Sequence, residues 1–296
     1  MYKASVVKSR PIVAPQLIFE INGISFLYSY IRKNASTSFK LLFKELYPNR
    51  CDGDIPKLGC MINEIGSHGM SPEQIDQSVP FKIFVYRDPV DRVFSVYKNK
   101  IIQRKSAADF LDNLESILGC DPSNLTFEDF VRDYVSLIGT IDYGRVDAHL
   151  FPQTWHLLPI TYNKVIALED VYFEMLNLLP KGICDQVFKN PSNSTNEDCL
   201  NLRWADPDCP AIFFQKKYSK SRCLPSIDQV ITDSTVNLLC EIYAEDFNMI
   251  RTVDADNGRL LSSVDQAYTF QSEYNDGEAS KFCSGFDFSV PGAKNG

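Results

Sequence analysis

Residues 24–40 read ISFLYSYIRKNASTSFK, an apolar run that breaks into a hydroxyl-rich turn and then resumes with a different period. Aromatic and β-branched residues fill the first part, as they do in buried strands. From Ser38 the apolar residues recur on one helical face as far as Tyr47, and Pro48 follows. The stretch therefore predicts a strand, a connecting loop and the first turns of a helix.

The loop between this strand and helix offers several groups that bind anions. Lys33 and three hydroxyl side chains precede or begin the predicted helix. The first N–H groups of a helix have no partner within the helix, and the helix dipole favours negative charge beside them. An ordinary strand-to-helix turn with Ser36 as its N-cap explains the same residues. The loop by itself leaves both interpretations open.

Composition narrows the classes of protein. The chain has 296 residues, of which 44% are hydrophobic and 23% charged, as in ordinary globular proteins. Its net charge of −8 argues against a general nucleic-acid binder. No run of about 18 apolar residues occurs, so we expect no membrane span in this chain. We expect a cytoplasmic protein if the chain is complete, and one of the Golgi lumen if an N-terminal anchor has been removed.

The nine cysteines form no CxxC pair and no cysteine–histidine spacing suited to zinc, so we predict no metal site. Because nothing at the N-terminus resembles a signal peptide, we favour reduced cysteines.

Further along the chain, strands alternate with helices. A buried strand at 81–86 precedes a predicted helix at 89–104, a third strand covers 164–169, and an amphipathic helix covers 234–250. This alternation predicts an α/β fold, P-loop-like and three-layered, with a central parallel sheet flanked by helices. Residues 48–80 are rich in breakers and predict a long irregular connection. We expect a catalytic domain at 1–253 and an acidic, flexible or loosely docked tail at 254–296.

A second basic motif follows the strand at 81–86. Seven basic and two acidic residues lie between Lys82 and Lys105, inside an otherwise acidic protein. If the segment from Pro89 is helical, Arg87 and Ser95 can reach one phosphate. The segment is therefore a candidate for a second anion site.

The two basic segments together resemble those of the sulfotransferases that use 3′-phosphoadenosine-5′-phosphosulfate (PAPS). Residues 32–39, RKNASTSF, resemble that family's 5′-phosphosulfate loop, and residues 87–97 carry its complete 3′-phosphate pattern, Arg-Asp-Pro-x-x-Arg-x-x-Ser-x-Tyr. Weaker similarities occur at 147–153 and 242–247. The carbohydrate branch, including enzymes like heparan sulfate 2-O-sulfotransferase, is the most similar. One departure is Arg32, which stands where the family usually has proline.

The resemblance implies roles for particular residues. PAPS is the implied cofactor, and a hydroxyl group of a carbohydrate or another acceptor is the implied acceptor. Lys33 would stabilise the leaving oxygen, and Arg87 with Ser95 would hold the 3′-phosphate. The 5′-phosphate would be held by the six loop residues Lys33, Asn34, Ala35, Ser36, Thr37 and Ser38.

The general base is less clearly marked. The resemblance suggests His68, which precedes the second motif by 19 residues, as the catalytic base. Glu64 and His149 are alternatives.

Two other functions compete with this one. A P-loop kinase needs the G-x-x-x-x-G-K-[ST] pattern, which does not occur. A catalytically inactive protein of the same fold, binding a glycan or a protein partner, is a second possibility that the sequence leaves open.

Overall fold

The computed structural model describes residues 1–4, 14–140, 143–189 and 205–256. The central sheet has four strands in the order β2 (Gln16–Ile21), β3 (Ile24–Ser29), β4 (Phe81–Tyr86) and β6 (Lys164–Ala167). Strands β3, β4 and β6 are parallel. Two short strands, β1 (Tyr2–Lys3) and β5 (Thr161–Tyr162), pair antiparallel in a second sheet.

The predicted parallel sheet has one exception, β2, which runs antiparallel to β3. Asn22 and Gly23 join the two strands with φ angles of 52° and 75°. A two-residue turn with positive φ at both positions makes a tight hairpin, and Asn-Gly is the sequence that favours it. The sheet is therefore mostly parallel, with one antiparallel edge strand.

Helices connect and cover the strands. They are α1 (Ser36–Leu46), α2 (Leu58–Ile65), α3 (Pro72–Ser78), α4 (Pro89–Val96), α5 (Ala108–Leu118), α6 (Phe127–Asp129), α7 (Val171–Leu176), α8 (Lys181–Val187), α9 (Ala211–Ser221), α10 (Asp233–Ile242) and α11 (Ala244–Asp256). A π-helical segment, Tyr97–Ile102, continues α4. The predicted helix at 234–250 is interrupted at Tyr243, whose hydroxyl donates a hydrogen bond to the Leu150 carbonyl at 2.6 Å.

The prediction of an irregular connection at 48–80 is wrong, because this stretch contains α2 and α3. Helix α3 begins with a capping box in which Ser71 and Gln74 satisfy each other's backbone N–H groups, and Pro72 fills its first turn. The local cap outweighs the poor hydrophobic periodicity.

Buried side chains cover both faces of the sheet. On β3 and β4, Tyr28 and Val85 point into one apolar cluster, and Leu27 and Phe84 point into the other. Phe39 of α1 packs in the first cluster, with the rings of Tyr28 and Phe39 stacked at 3.6 Å. Helices thus flank the sheet, as the alternation of strands and helices predicts.

The chain divides into residues 1–253 and 254–296. The predicted acidic tail lies outside the described residues from 257 onward.

The expectation of reduced cysteines is wrong for Cys51, Cys60 and Cys223. Cys51 and Cys60 form a disulfide with their Cα atoms 6.3 Å apart. Helix α2 brings Cys60 beside the turn that follows α1, although nine residues separate the two cysteines along the chain. Cys223 is also disulfide-bonded.

Candidate active site

Both basic motifs lie at the same edge of the sheet. Strands β3 and β4 are neighbours and parallel, so their carboxyl ends meet at one edge. The loop of residues 30–35 leaves the end of β3, and Arg87 follows the end of β4. In α/β sheets this edge is where ligands bind. The structure thus brings together the two segments that the sequence places some fifty residues apart.

The first loop has a backbone suited to an anion. Lys33 and Ala35 adopt positive φ angles of 71° and 54°, which cost non-glycine residues roughly 1–2 kcal/mol each. Ala35, rather than Ser36, is the N-cap of α1, and no side chain caps this helix. The helix therefore begins with N–H groups that an anion can satisfy. This arrangement does not fit the alternative of an ordinary turn capped by Ser36.

Several predicted site residues keep their side chains uncommitted. Within the described part of the chain, the side chains of five of them accept or donate no hydrogen bond: Lys33, Ser36, Ser38, Arg87 and Ser95. Thr37 is half-buried in the first turn of α1. Asn34 differs, because its amide donates to the Val85 carbonyl at 2.8 Å and is fully buried.

The surroundings of Lys33 disfavour the protonated, positively charged form of its side chain. Burial, followed by the positive charges of Lys100, Arg87, Lys105 and Arg92, lowers the pKa of Lys33 to about 7. Burial also lowers the pKa of Arg87. Clustered cations repel one another, so this region is stabilised when an anion is present.

The second motif is built around the start of α4. Asp88 is the N-cap, and its carboxylate accepts a hydrogen bond from the Asp91 N–H at 3.0 Å, while Pro89 occupies the first turn. Arg87 therefore ends the strand and Ser95 lies two turns into the helix, where it is buried. The Asp-Pro pair thus has a structural role, and Arg87 and Ser95 remain for a ligand.

Arg92 has a role that sequence reasoning missed. Its side chain is fully buried and donates hydrogen bonds to the carbonyls of Arg32, His149 and Phe151 at 3.2, 3.1 and 2.8 Å. A planar guanidinium suits this task, because it presents several donors in fixed directions. Arg92 therefore joins the first loop to the segment at 149–151 through Nε and Nη2, while its Nη1 is buried with no hydrogen-bond partner among the described residues.

Gln153 and Asp246 were likewise missed as part of the site. Gln153 is fully buried, and its side-chain oxygen accepts a hydrogen bond from Asn34 at 2.5 Å. The carboxylate of Asp246 accepts the backbone N–H groups of Gln153 and Thr154 at 2.8 and 2.9 Å. The only sequence signal for either residue was its place in the weaker family similarities at 147–153 and 242–247.

His68 lies at the same edge of the sheet as the first loop. Gly66 bridges to Leu17, and the N–H of Ser67 donates to the Gln16 carbonyl at 2.9 Å, next to the end of β3. His68 Nε2 lies 2.6 Å from the Ile62 carbonyl oxygen, which can only accept, so Nε2 carries the proton and neutral His68 has a free Nδ1. A side chain at Gly66 would collide with the Ile62 carbonyl and approach His68 Nε2 to 2.8 Å.

The two alternative bases have protein partners. Glu64 forms an ion pair with Arg50 at 2.6 Å. His149 Nδ1 lies 2.6 Å from the Asp147 carboxylate, so its free nitrogen is Nε2, and Arg32 Nη1 lies 3.4 Å from the same Nδ1. Burial lowers the pKa of His149 despite the opposing effect of Asp147. His149 is therefore a neutral, oriented imidazole.

His156 is buried rather than exposed to a cleft. Among the described residues neither of its ring nitrogens has a hydrogen-bond partner, and burial with the nearby charges of Arg92 and Arg32 lowers its pKa to about 3. This histidine is neutral at physiological pH and fills the core.

Within the described residues, no group of histidine, cysteine and carboxylate side chains is arranged to hold a metal ion. None of the helices described combines the length and the apolar character that crossing a bilayer requires.

Two basic segments lie at the carboxyl edge of a mostly parallel sheet in an α/β protein. The chain belongs to the Sulfotransferase family, whose sequence profile matches residues 21–250, more than half of the chain. No curated protein and no solved structure matched it. Transfer of a sulfuryl group is the general reaction of this family, and membership does not favour the inactive alternative.

Proposed function

We propose that this protein transfers a sulfuryl group from PAPS to a hydroxyl group of a carbohydrate by in-line displacement. The observation that carries the proposal is the pair of uncommitted cationic groups, Lys33 and Arg87, at the ends of adjacent parallel strands. Two separated cationic loops suit a nucleotide with a phosphate at each end. The strand, loop and helix at 24–46 also have the arrangement of a P-loop, in which a helix N-terminus follows a strand, although the loop has no glycine-rich sequence.

The donor set fits PAPS. The N–H groups at the start of α1, the hydroxyls of Ser36, Thr37 and Ser38 and the ammonium of Lys33 suit the 5′-phosphate. Arg87 and Ser95 suit the 3′-phosphate, because a guanidinium binds phosphate oxygens in pairs. When bound, PAPS supplies the sulfuryl group and its leaving phosphate.

Lys33 has the properties of a group that stabilises negative charge as it develops. It is half-buried, where electrostatic interactions are stronger than in water. Its pKa, lowered to about 7, rises again when an anion lies beside it. Lys33 then carries its proton next to the leaving oxygen.

We assign the general base to His68. Its Nε2–H donates to the Ile62 carbonyl, which leaves Nδ1 to accept the proton of the acceptor hydroxyl. Glu64 is the weaker alternative, since it is paired with Arg50. His149 is the stronger alternative, since Asp147 fixes its tautomer.

Aromatic rings in and near the segment at 149–156 favour a carbohydrate acceptor. The Trp155 ring lies 5.8 Å from the Tyr143 ring and 5.7 Å from the Phe151 ring, and Trp155 is partly exposed. Aromatic faces present the apolar surface on which sugar rings stack. The Cys51–Cys60 disulfide favours an oxidising compartment such as the Golgi lumen over the cytoplasm.

Two measurements test the function. Calorimetry with adenosine 3′,5′-bisphosphate (PAP), the product of PAPS, should give saturable binding that is tighter than binding of adenosine 5′-phosphate. Transfer of radiolabelled sulfate from PAPS to a panel of glycans should give a labelled product. No saturable heat at millimolar PAP would overturn the proposed donor, and binding without transfer to any acceptor would favour a non-catalytic role.

A further inference from the structure

The carboxamide of Gln153 contacts both anion-binding segments at once. Its Oε1 accepts hydrogen bonds from Asn34 Nδ2 at 2.5 Å and from the backbone N–H of Arg87 at 3.0 Å. Its Nε2 donates to the Arg87 carbonyl at 2.8 Å. The carboxamide therefore forms a pair of hydrogen bonds with the backbone of Arg87, as a neighbouring β-strand would. Its Oε1 also contacts Asn34, in the loop that carries Lys33.

Gln153 is itself held rigidly. Its side chain is fully buried, and Asp246 of α11 accepts its backbone N–H at 2.8 Å and its Nε2 at 3.3 Å. Arg92 fixes the residues just before Gln153 through hydrogen bonds to the carbonyls of His149 and Phe151. A rotation of the Gln153 amide would break bonds on both sides, so its position is determined by its surroundings.

Only a carboxamide of this length satisfies the contacts. The Arg87 N–H needs an acceptor and the Arg87 carbonyl needs a donor, and a glutamine side chain provides both from one planar group. A carboxylate has no donor, and a methionine of similar length has neither. The contacts are also buried, so water does not replace them when they are lost.

We propose that Gln153 is a specificity-determining residue, which holds the loop of Lys33 and the backbone of Arg87 at one separation and so makes the site selective for nucleotides with both a 5′- and a 3′-phosphate. This inference rests on the proposed function. A fixed separation lets the second phosphate bind without a further cost in loop ordering, which is the advantage of a preorganised site. Gln153 needs no contact with the nucleotide for this effect.

The test compares PAP with adenosine 5′-phosphate, which lacks the 3′-phosphate. The selectivity is the dissociation constant of adenosine 5′-phosphate divided by that of PAP. We expect Gln153→Met to reduce this ratio roughly tenfold, with the affinity for adenosine 5′-phosphate changed by no more than about twofold. Gln215→Met is the matched control, because this partly buried glutamine also bonds a carbonyl and a side chain, those of Ile101 and Ser123. It should leave the ratio unchanged.

A merely structural role predicts something else. If Gln153 only stabilises the fold, the affinities for both ligands change by the same factor and the ratio stays at the wild-type value, which overturns the proposal. If Gln153→Met does not fold, Asn34→Ala removes the other end of the link, together with the hydrogen bond from Asn34 to the Val85 carbonyl, and should lower the ratio as well. An unchanged ratio there overturns the proposal. Failure of the wild-type protein to bind PAP overturns the proposed function together with this inference, whereas the variants decide the role of Gln153 alone.

Discussion

The side chain of Arg92 donates a hydrogen bond from Nε to the backbone carbonyl of Arg32 at 3.2 Å, so a residue of the second basic motif fixes the backbone of the first. Its Nη2 binds the carbonyls of His149 and Phe151, and the whole side chain is buried. Arg92 therefore ties three segments of the site together without using its charge on a ligand.

Replacing this guanidinium should destabilise the protein. Arg92→Lys keeps the charge but loses the forked geometry, so we expect the free energy of unfolding to fall by about 2–4 kcal/mol in urea denaturation. Arg132→Lys is the control, because the ion pairs of Arg132 with Asp129 and Asp133 are exposed, and it should change stability by less than about 1 kcal/mol. Equal urea midpoints for Arg92→Lys and the wild type would contradict the role of the fork.

Binding of PAP should be coupled to uptake of a proton by Lys33. The pKa of Lys33 is about 7 without ligand, so at pH 8 most of it is neutral. A bound phosphate raises that pKa, so the complex holds more protons than the free protein and affinity falls as pH rises above about 7. Calorimetry at pH 8 in buffers of different ionisation enthalpy measures this uptake. Lys33→Met should abolish it, and an identical apparent enthalpy in all buffers with the wild type would refute the coupling.

Arg87 should contribute to the 3′-phosphate alone. We expect Arg87→Met to weaken PAP at least tenfold and to leave adenosine 5′-phosphate within about twofold of its wild-type affinity, since a charge-assisted hydrogen bond is worth about 1.5–3 kcal/mol. Lys220→Met, on the exposed end of α9, removes a positive charge elsewhere and serves as the control. Unchanged PAP affinity in Arg87→Met would remove Arg87 from the site.

The two candidate bases are separable by turnover. His68→Ala should lower kcat about a hundredfold or more, with PAP affinity unchanged, because a general base acts on the acceptor hydroxyl. His149→Ala should have the smaller effect on kcat. The reverse result would move the base to His149, and the acid limb of the pH–rate profile would then lie below the ordinary histidine value, since burial lowers the pKa of His149.

The disulfide between Cys51 and Cys60 should stabilise the segment that carries His68. For a loop of this size, removing the cross-link costs about 2–3 kcal/mol. We expect a lower Tm for the double variant Cys51→Ser/Cys60→Ser than for Cys120→Ser, which changes an exposed free cysteine. Equal Tm values would show that the cross-link contributes nothing to stability.

Local patterns allowed much of the site to be predicted. The apolar run before Lys33 and the Arg-Asp-Pro sequence are short-range signals, and each predicted its strand and the helix that follows. The start of α4 at Pro89 was predicted, whereas α1 begins at Ser36, two residues before the predicted apolar face. Asn22-Gly23 is an equally local hairpin signal, and it accounts for the antiparallel pairing of β2.

The partners of buried polar groups could not be predicted in the same way. Asn34 and Gln153 are 119 residues apart, and Gln153 and Asp246 are 93 apart. Their spacing in the chain does not predict these contacts, which form only when the segment at 149–153 packs against both loops.

The sequence by itself determined the α/β class, the two basic motifs and the family resemblance, because each depends on residues close together in the chain. Only the tertiary structure decided which polar groups are occupied and which remain for a ligand. Nη2 of Arg92 and the carboxamide of Gln153 bond to buried carbonyl and N–H groups, since burial leaves polar atoms no water to bind. Lys33 and Arg87 remain uncommitted at the sheet edge, and burial beside other cations sets the protonation of Lys33.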